Sequence, residues 1–200
     1  MKAPAIVPDN HSGASSNNEF SVQKQDIGSA QKLFQLGKAR LLNVNQWHQL
    51  SGMASAVFQL TDEHGKEVNR PARLGDHFKI DIPGPGTITG KGNDWVQIEA
   101  IEENDEADCE IIAIRVRPAS NPQSNKEDVA HFFSEEASST FSITRNGNVV
   151  TAAVQGRNEK PNLKAENLLD KVRNAVIGTS AIAGMNKPQW KSLVKGLLSE

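Results

Sequence analysis

The 200-residue sequence has a single cysteine, Cys109. That excludes an internal disulfide framework and any zinc site built on several cysteines. It fits a reducing, cytoplasmic setting. An excess of one charge is also missing. Lys and Arg number 22 against 24 Asp and Glu, a net charge of −2. Nothing in that balance attracts the chain as a whole to nucleic acid or to acidic membranes. No apolar run approaches the roughly 20 residues of a membrane span. The opening "APAIVPDN" is too short and too interrupted by proline for the hydrophobic region of a signal peptide. No G-x-S-x-G elbow occurs, and none of the five histidines pairs with another at metal-ligand spacing. Cys109 lies in an acidic stretch that would raise a thiol pKa, so it is not an activated nucleophile. The sequence calls for no metal and no cofactor.

What is present has an order. Residues 1–18 are rich in Ser, Asn, Pro and Gly without periodicity and predict a disordered tail, with a single domain over 19–200. "FSVQKQDI" predicts a first strand. Ser29 is a candidate N-cap for a helix whose stripe is Ala30, Leu33, Phe34, Gly37 and Leu41. A second helical piece carries Val44, Trp47 and Leu50 and closes at Gly52. The period then changes to two. Alternation places Ala54, Ala56, Phe58 and Leu60 on one side of a strand, then Phe78, Ile80 and Ile82, then Val96, Ile98 and Ala100, then Ile112, Ile114 and Val116. Phe141 and Ile143 follow. Asn146-Gly147, a type I′ turn dipeptide, joins them to Val150, Ala152 and Val154. The last forty residues return to helix. Leu168, Leu169, Val172, Val176 and Ile177 line one side, Gly184 and Pro188 interrupt, and Trp190, Leu193, Val194, Leu197 and Leu198 form a full amphipathic stripe.

The order is strand, two helices, six strands and a closing helix. With it come three short echoes: "LNVNQWHQLSG", a helix ending in tryptophan before the second strand; "RLGDHFKI", a Gly-led start of the third; and "QWKSLVKGLLSE", a closing amphipathic helix. In these the chain resembles the START-like, or SRPBCC, superfamily. The resemblance implies an α+β helix-grip fold: a curved antiparallel sheet of about seven strands, two short helices and a long C-terminal helical segment. It also implies binding of an apolar or lipid-like molecule between the sheet and the last helix.

"HFKIDIPGPGTITGKGNDWVQIE" poses the main choice of chemistry. A phosphate-binding P-loop needs glycine where Pro85 stands and a hydroxyl where Gly92 stands. Proline also removes an N–H that such a cradle uses. A corner in a bent sheet explains Pro83, Gly84, Pro85 and Gly86 better. The acidic run Glu99 to Glu110 contains no glycine of the kind a calcium loop requires and predicts a solvated hairpin tip. Arg115 and Arg117 predict cross-strand charge pairing.

The apolar face holds no titratable group by simple alternation, which points to binding rather than catalysis. The candidate ligand-binding residues are Trp47, Phe58, Phe78, Ile80, Val96, Ile98, Ile112, Ile114, Phe141, Ile143, Val154, Trp190 and Leu193. Two alternatives stand beside this: a polyketide cyclase-like or hydrolase-like enzyme using His48 or His131 at the cavity mouth, and a closed core whose surface engages another protein. The expected partner is an apolar small molecule, with no nucleic acid and no membrane span.

Overall fold

A computed structural model describes residues 4–52, 56–82, 86–106, 108–125, 128–182 and 187–200. Its strands are β1 (Ala14–Gln23), β2 (Val57–Thr61), β3 (His77–Asp81), β4 (Asp94–Glu106), β5 (Cys109–Pro118), β6 (Ser138–Asn146) and β7 (Val149–Glu159). They form one antiparallel sheet in the order β1-β7-β6-β5-β4-β3-β2. The helices are α1 (Ile27–Leu42), α2 (Trp47–Ser51), α3 (Leu168–Ile182) and α4 (Lys187–Leu197), with a 3-10 turn at Val44–Gln46. This is the helix-grip arrangement. α1 and α4 pack on one face of the sheet against β1, β6 and β7, and α4 also meets α2.

The period-two residues build the core as alternation requires. Phe58, Phe78, Val96, Ile98, Ile112, Ile114, Phe141, Ile143, Ala152 and Val154 meet Leu33, Phe34 and Leu41 of α1 and Leu193, Val194, Leu197 and Leu198 of α4. α1 starts one residue group earlier than its sequence suggests. Asp26, not Ser29, is the N-cap, and its carboxylate accepts the Ser29 N–H at 2.8 Å and the Ser29 hydroxyl at 2.9 Å. A carboxylate satisfies the orphan N–H and complements the helix dipole as well. At the β6–β7 hairpin the two loop residues are Gly147 and Asn148, and Gly147 alone has a positive φ of 57°. That is the pattern of a type II′ turn rather than the expected type I′.

Two β-bulges break the alternation. In β4, Ile98 faces Val116 but Ala100 faces Arg115. The extra residue turns Ile101, not Ala100, toward the core side opposite Ile114. It also sets Glu99 between Arg115, at 2.6 Å, and Arg117, at 2.7 Å. In β7, Gly156 faces Ser16 while Glu159 faces Ala14, so three residues of β7 span two of β1. Asn158 sits in the bulge with a φ of 54°, a left-handed conformation that asparagine tolerates better than most residues.

The N-terminus corrects the expectation of a structureless run through Asn18. β1 begins at Ala14, and residues before it are tied to the sheet. The Ile6 N–H donates to Glu102 at 3.0 Å and Arg115 donates to the Ile6 carbonyl at 2.7 Å. The N–H groups of His11 and Ser12 donate to the Asn158 side chain at 2.8 and 3.0 Å, and the Asn158 N–H donates to Asn10 at 2.7 Å. Polar composition hid this because the arm is held by hydrogen bonds rather than by an apolar stripe. Deleting residues 1–18 removes half of an edge strand, and the melting temperature is expected to fall on the order of 5 °C or more. An unchanged thermal melt would contradict the docking.

The Pro83-Gly84-Pro85 corner and the Gly184 break lie outside the described residues. So does Ala54.

Candidate functional site: an apolar cavity with two buried polar groups

Between the sheet, α3 and the first turn of α4 lies a cavity of about 510 Å³. Phe58, Phe78, Ile80, Ile82, Val96, Val116 and Phe141 form its sheet wall, Val176, Ile177, Ser180 and Ala181 its α3 wall, and Gln189 and Trp190 of α4 close one side. His131, Phe132 and Phe133 enter from the connection between β5 and β6, and Ser139 and Glu159 enter from the sheet.

Six of the sequence-predicted ligand residues lie together here: Phe58, Phe78, Ile80, Val96, Phe141 and Trp190. The other seven, Trp47, Ile98, Ile112, Ile114, Ile143, Val154 and Leu193, fill the core beneath α1 and α4. α1 and α4 cover one half of the concave face directly, so only the half under α3 remains open. Alternation marks the face of a strand, not where along that face a helix sits.

α3 reaches its position by polar contacts. Its buried residues are Asp170, Arg173, Asn174 and Gly178. Leu168, Leu169, Val172 and Val176, expected on its packed side, are instead 59 to 72% exposed. The reason is a set of buried charges. Arg173 pairs with Asp94, donating from Nη1 at 3.2 Å and from Nη2 to the second carboxylate oxygen, and both partners are buried. Asn174 donates to the Asn162 carbonyl at 3.1 Å. Asp170 accepts from the N–H groups of Ile88 and Thr89 at 2.8 and 2.9 Å and from the Thr89 hydroxyl at 2.7 Å. Burial alone would raise the Asp170 carboxyl, but those bonds hold it below its usual range. The glycine-rich loop thus does cradle an anion, and the anion is the chain's own. Leaving that charged pair half-made in the interior costs about 3–5 kcal/mol, so the pair fixes which face of α3 turns inward although its aliphatic residues stay largely exposed.

The 119–137 connection is sheet-like at two points. Ser120 bridges Val129 and Phe133 bridges Pro161. Asp94 also accepts the Phe132 N–H at 2.8 Å, so the pair that docks α3 also places His131 and Phe132. His131 stacks on Phe132 with ring centroids 4.3 Å apart. Its Nδ1 accepts the Phe133 N–H at 2.9 Å, which leaves the proton of the neutral ring on Nε2. Burial drives its pKa down to about 4, with Asp94 opposing and Arg173 reinforcing the shift. The folded state therefore excludes a proton that the unfolded chain binds below its value of 6.5. Stability is complete above pH 6.5 and falls by on the order of 3 kcal/mol as the pH drops to about 4. His131→Asn keeps an acceptor for the Phe133 N–H and should flatten that part of the profile in denaturant titrations from pH 7 to 4. Parallel profiles would contradict a buried neutral histidine. His48 does not line the cavity.

Glu159 is the residue that alternation misses. Counted in twos from Val150 it belongs outside, and the bulge at Asn158 turns it inward. The readable signal was Gly156 inside an alternating run, a mark of a bulge or a close approach. Here it is both. A Cβ at 156 would lie 2.0 Å from Glu159 Oε1 and 2.5 Å from Ser16 Oγ. Burial raises the Glu159 carboxyl above its usual range, against a hydrogen bond from Ser16 and the nearby Arg157 charge. Arg157 itself donates to the Ser16 and Gly156 carbonyls.

No protein-family model matches the chain, and no curated protein does. Among solved structures, a hypothetical protein from Helicobacter pylori is 13% identical, with 97% of this chain and 94% of that one covered and a TM-score of 0.47. A truncated norcoclaurine synthase from Thalictrum flavum is 8% identical over 96% and 99%, with a TM-score of 0.41. The ginseng major latex-like protein 151 from Panax ginseng is 12% identical over 86% and 98%, with a TM-score of 0.33. At these scores the fold rests on the strand order and register of this chain. Among the described residues no helix is long and apolar enough to cross a membrane.

Proposed function

We propose that this chain is a START-like binding domain that holds an apolar small molecule in the cavity under α3. One observation carries the reading: a space of about 510 Å³ walled by the aromatic rings of Phe58, Phe78, Phe132, Phe133, Phe141 and Trp190 and by several aliphatic side chains lies beside a closely packed core. Such a volume falls in the range of small-molecule sites. Filling it with an apolar molecule removes that surface from water at roughly 25 cal/mol per Å². An environment-sensitive naphthalene dye should brighten on binding with a micromolar Kd. Ala181→Trp, which grows a ring from the α3 wall into the space, should weaken the dye at least tenfold with little change in melting temperature. If neither protein binds the dye, the reading fails and the closed-core interpretation replaces it.

Acid–base chemistry on the bound molecule is the second reading. It draws on His131 and Glu159, the two buried titratable groups that line a mostly apolar space. Turnover of esters, thioesters or cyclisable polyketide mimics that is lost in His131→Asn would support it. Binding without turnover would leave the first reading alone.

A further inference from the structure

We propose that the cavity selects an apolar molecule that ends in a basic nitrogen, and that Glu159 is the group that receives it. This rests on the binding reading above and names the ligand class. Glu159 lines the cavity and is only 6% exposed. Among the described residues its carboxyl has one hydrogen bond, from Ser16 Oγ to Oε1 at 3.1 Å. Oε2 has no protein partner there, and the neighbouring Arg157 is committed to backbone carbonyls. Oε2 is not sealed in the wall but open to the cavity, so a donor that enters there can complete a largely desolvated carboxyl.

The seat around it is built, not incidental. Ser16, Gly156 and Ser139 form a row across β1, β7 and β6, with Ser16 and Ser139 each in register with Gly156. The carboxyl lies over the glycine, in the space where any other residue would put its Cβ. The bulge that aims Glu159 inward is itself held by Asn10, His11 and Ser12. Ser139 adds a second hydroxyl on the cavity wall. Most of the remaining lining is apolar, with His131, Ser180 and Gln189 its other polar side chains. An ammonium on a hydrophobic body satisfies this arrangement best: it supplies the opposite charge, and its N–H groups reach Oε2 and the Ser139 hydroxyl. A neutral alcohol supplies one donor and no charge. A carboxylate brings like charge against a desolvated carboxyl.

The test compares three probes with one body: 2-naphthylmethylamine, 2-naphthalenemethanol and 2-naphthoate, titrated by calorimetry at pH 8. The amine should bind roughly tenfold or more tightly than the alcohol, and the naphthoate weakest. In Glu159→Gln the amine should lose its advantage over the alcohol, with a near-UV circular dichroism spectrum like that of the wild type showing that the fold is intact. Gly156→Ala, whose methyl displaces the carboxyl, should lose the same advantage. Equal binding of amine and alcohol to the wild type overturns the proposal, as does an amine preference that survives Glu159→Gln. The wild-type comparison decides the matter even if a variant fails to fold. Failure of all three probes to bind would instead sink the binding reading on which the proposal stands.

Discussion

Trp47→Ala is expected to cost about 3–5 kcal/mol of unfolding free energy in a urea titration. Trp47 is fully buried, and its ring packs edge-on against Phe58 and Phe78 at 5.5 Å and tilted against Phe141 at 4.6 Å. Its indole N–H donates to the carbonyls of Arg40 and Leu41 at 3.2 Å each, tying the end of α1 to α2. Truncation therefore leaves a large hole and takes the donor from the Leu41 carbonyl at a junction of two helices, while the Arg40 carbonyl keeps the Asn43 N–H. Trp190→Ala should cost markedly less, because Trp190 is only partly buried and one side faces the cavity. Equal losses would mean that Trp190 is packed on all sides and that the space beside it is not open.

Arg173→Ala should be comparably damaging, about 3–5 kcal/mol, because it strands Asp94 without a counter-charge in the interior. The loss should appear as more than lower stability. Asp94 also holds the Phe132 N–H, so the loop that carries His131 and Phe132 loses its anchor with the helix above it. The double variant Asp94→Asn with Arg173→Met should recover most of the stability, since it removes both charges and keeps an acceptor for Phe132. A single variant that melts like the wild type would show that α3 is held by something other than this pair.

The sheet was legible because half-buried strands advertise themselves by alternation, and six runs of it lie in sequence. α4 was legible for a similar reason: Leu193, Val194, Leu197 and Leu198 repeat at helical spacing and all are buried. α3 was misread by the same rule. Its aliphatic stripe is real, but Asp94, seventy-nine residues away, fixes which face turns inward. Long-range ion pairs leave no periodic trace. Glu159 was hidden by a one-residue bulge, which reverses the parity of everything beyond it. Trp47, Ile98, Ile112, Ile114, Ile143, Val154 and Leu193 lie under α1 and α4 rather than on the cavity, because helix placement on a sheet is set by packing across the whole face. The N-terminal arm reads as a tail because its anchors are backbone and side-chain hydrogen bonds, which leave no apolar pattern.

An apolar molecule should enter the space under α3 and not merely rest on the exposed aliphatic surface of that helix. Intermolecular methyl NOEs with a bound naphthalene probe test it directly. Contacts are expected from Ile80, Ile82, Val96, Val116 and Ile177, which line the cavity, and none from Ile112, Ile114 or Ile143, which are sealed in the core. Contacts confined to Leu168, Leu169 and Val172 on the outer side of α3, or no intermolecular NOE at saturating probe, would contradict it.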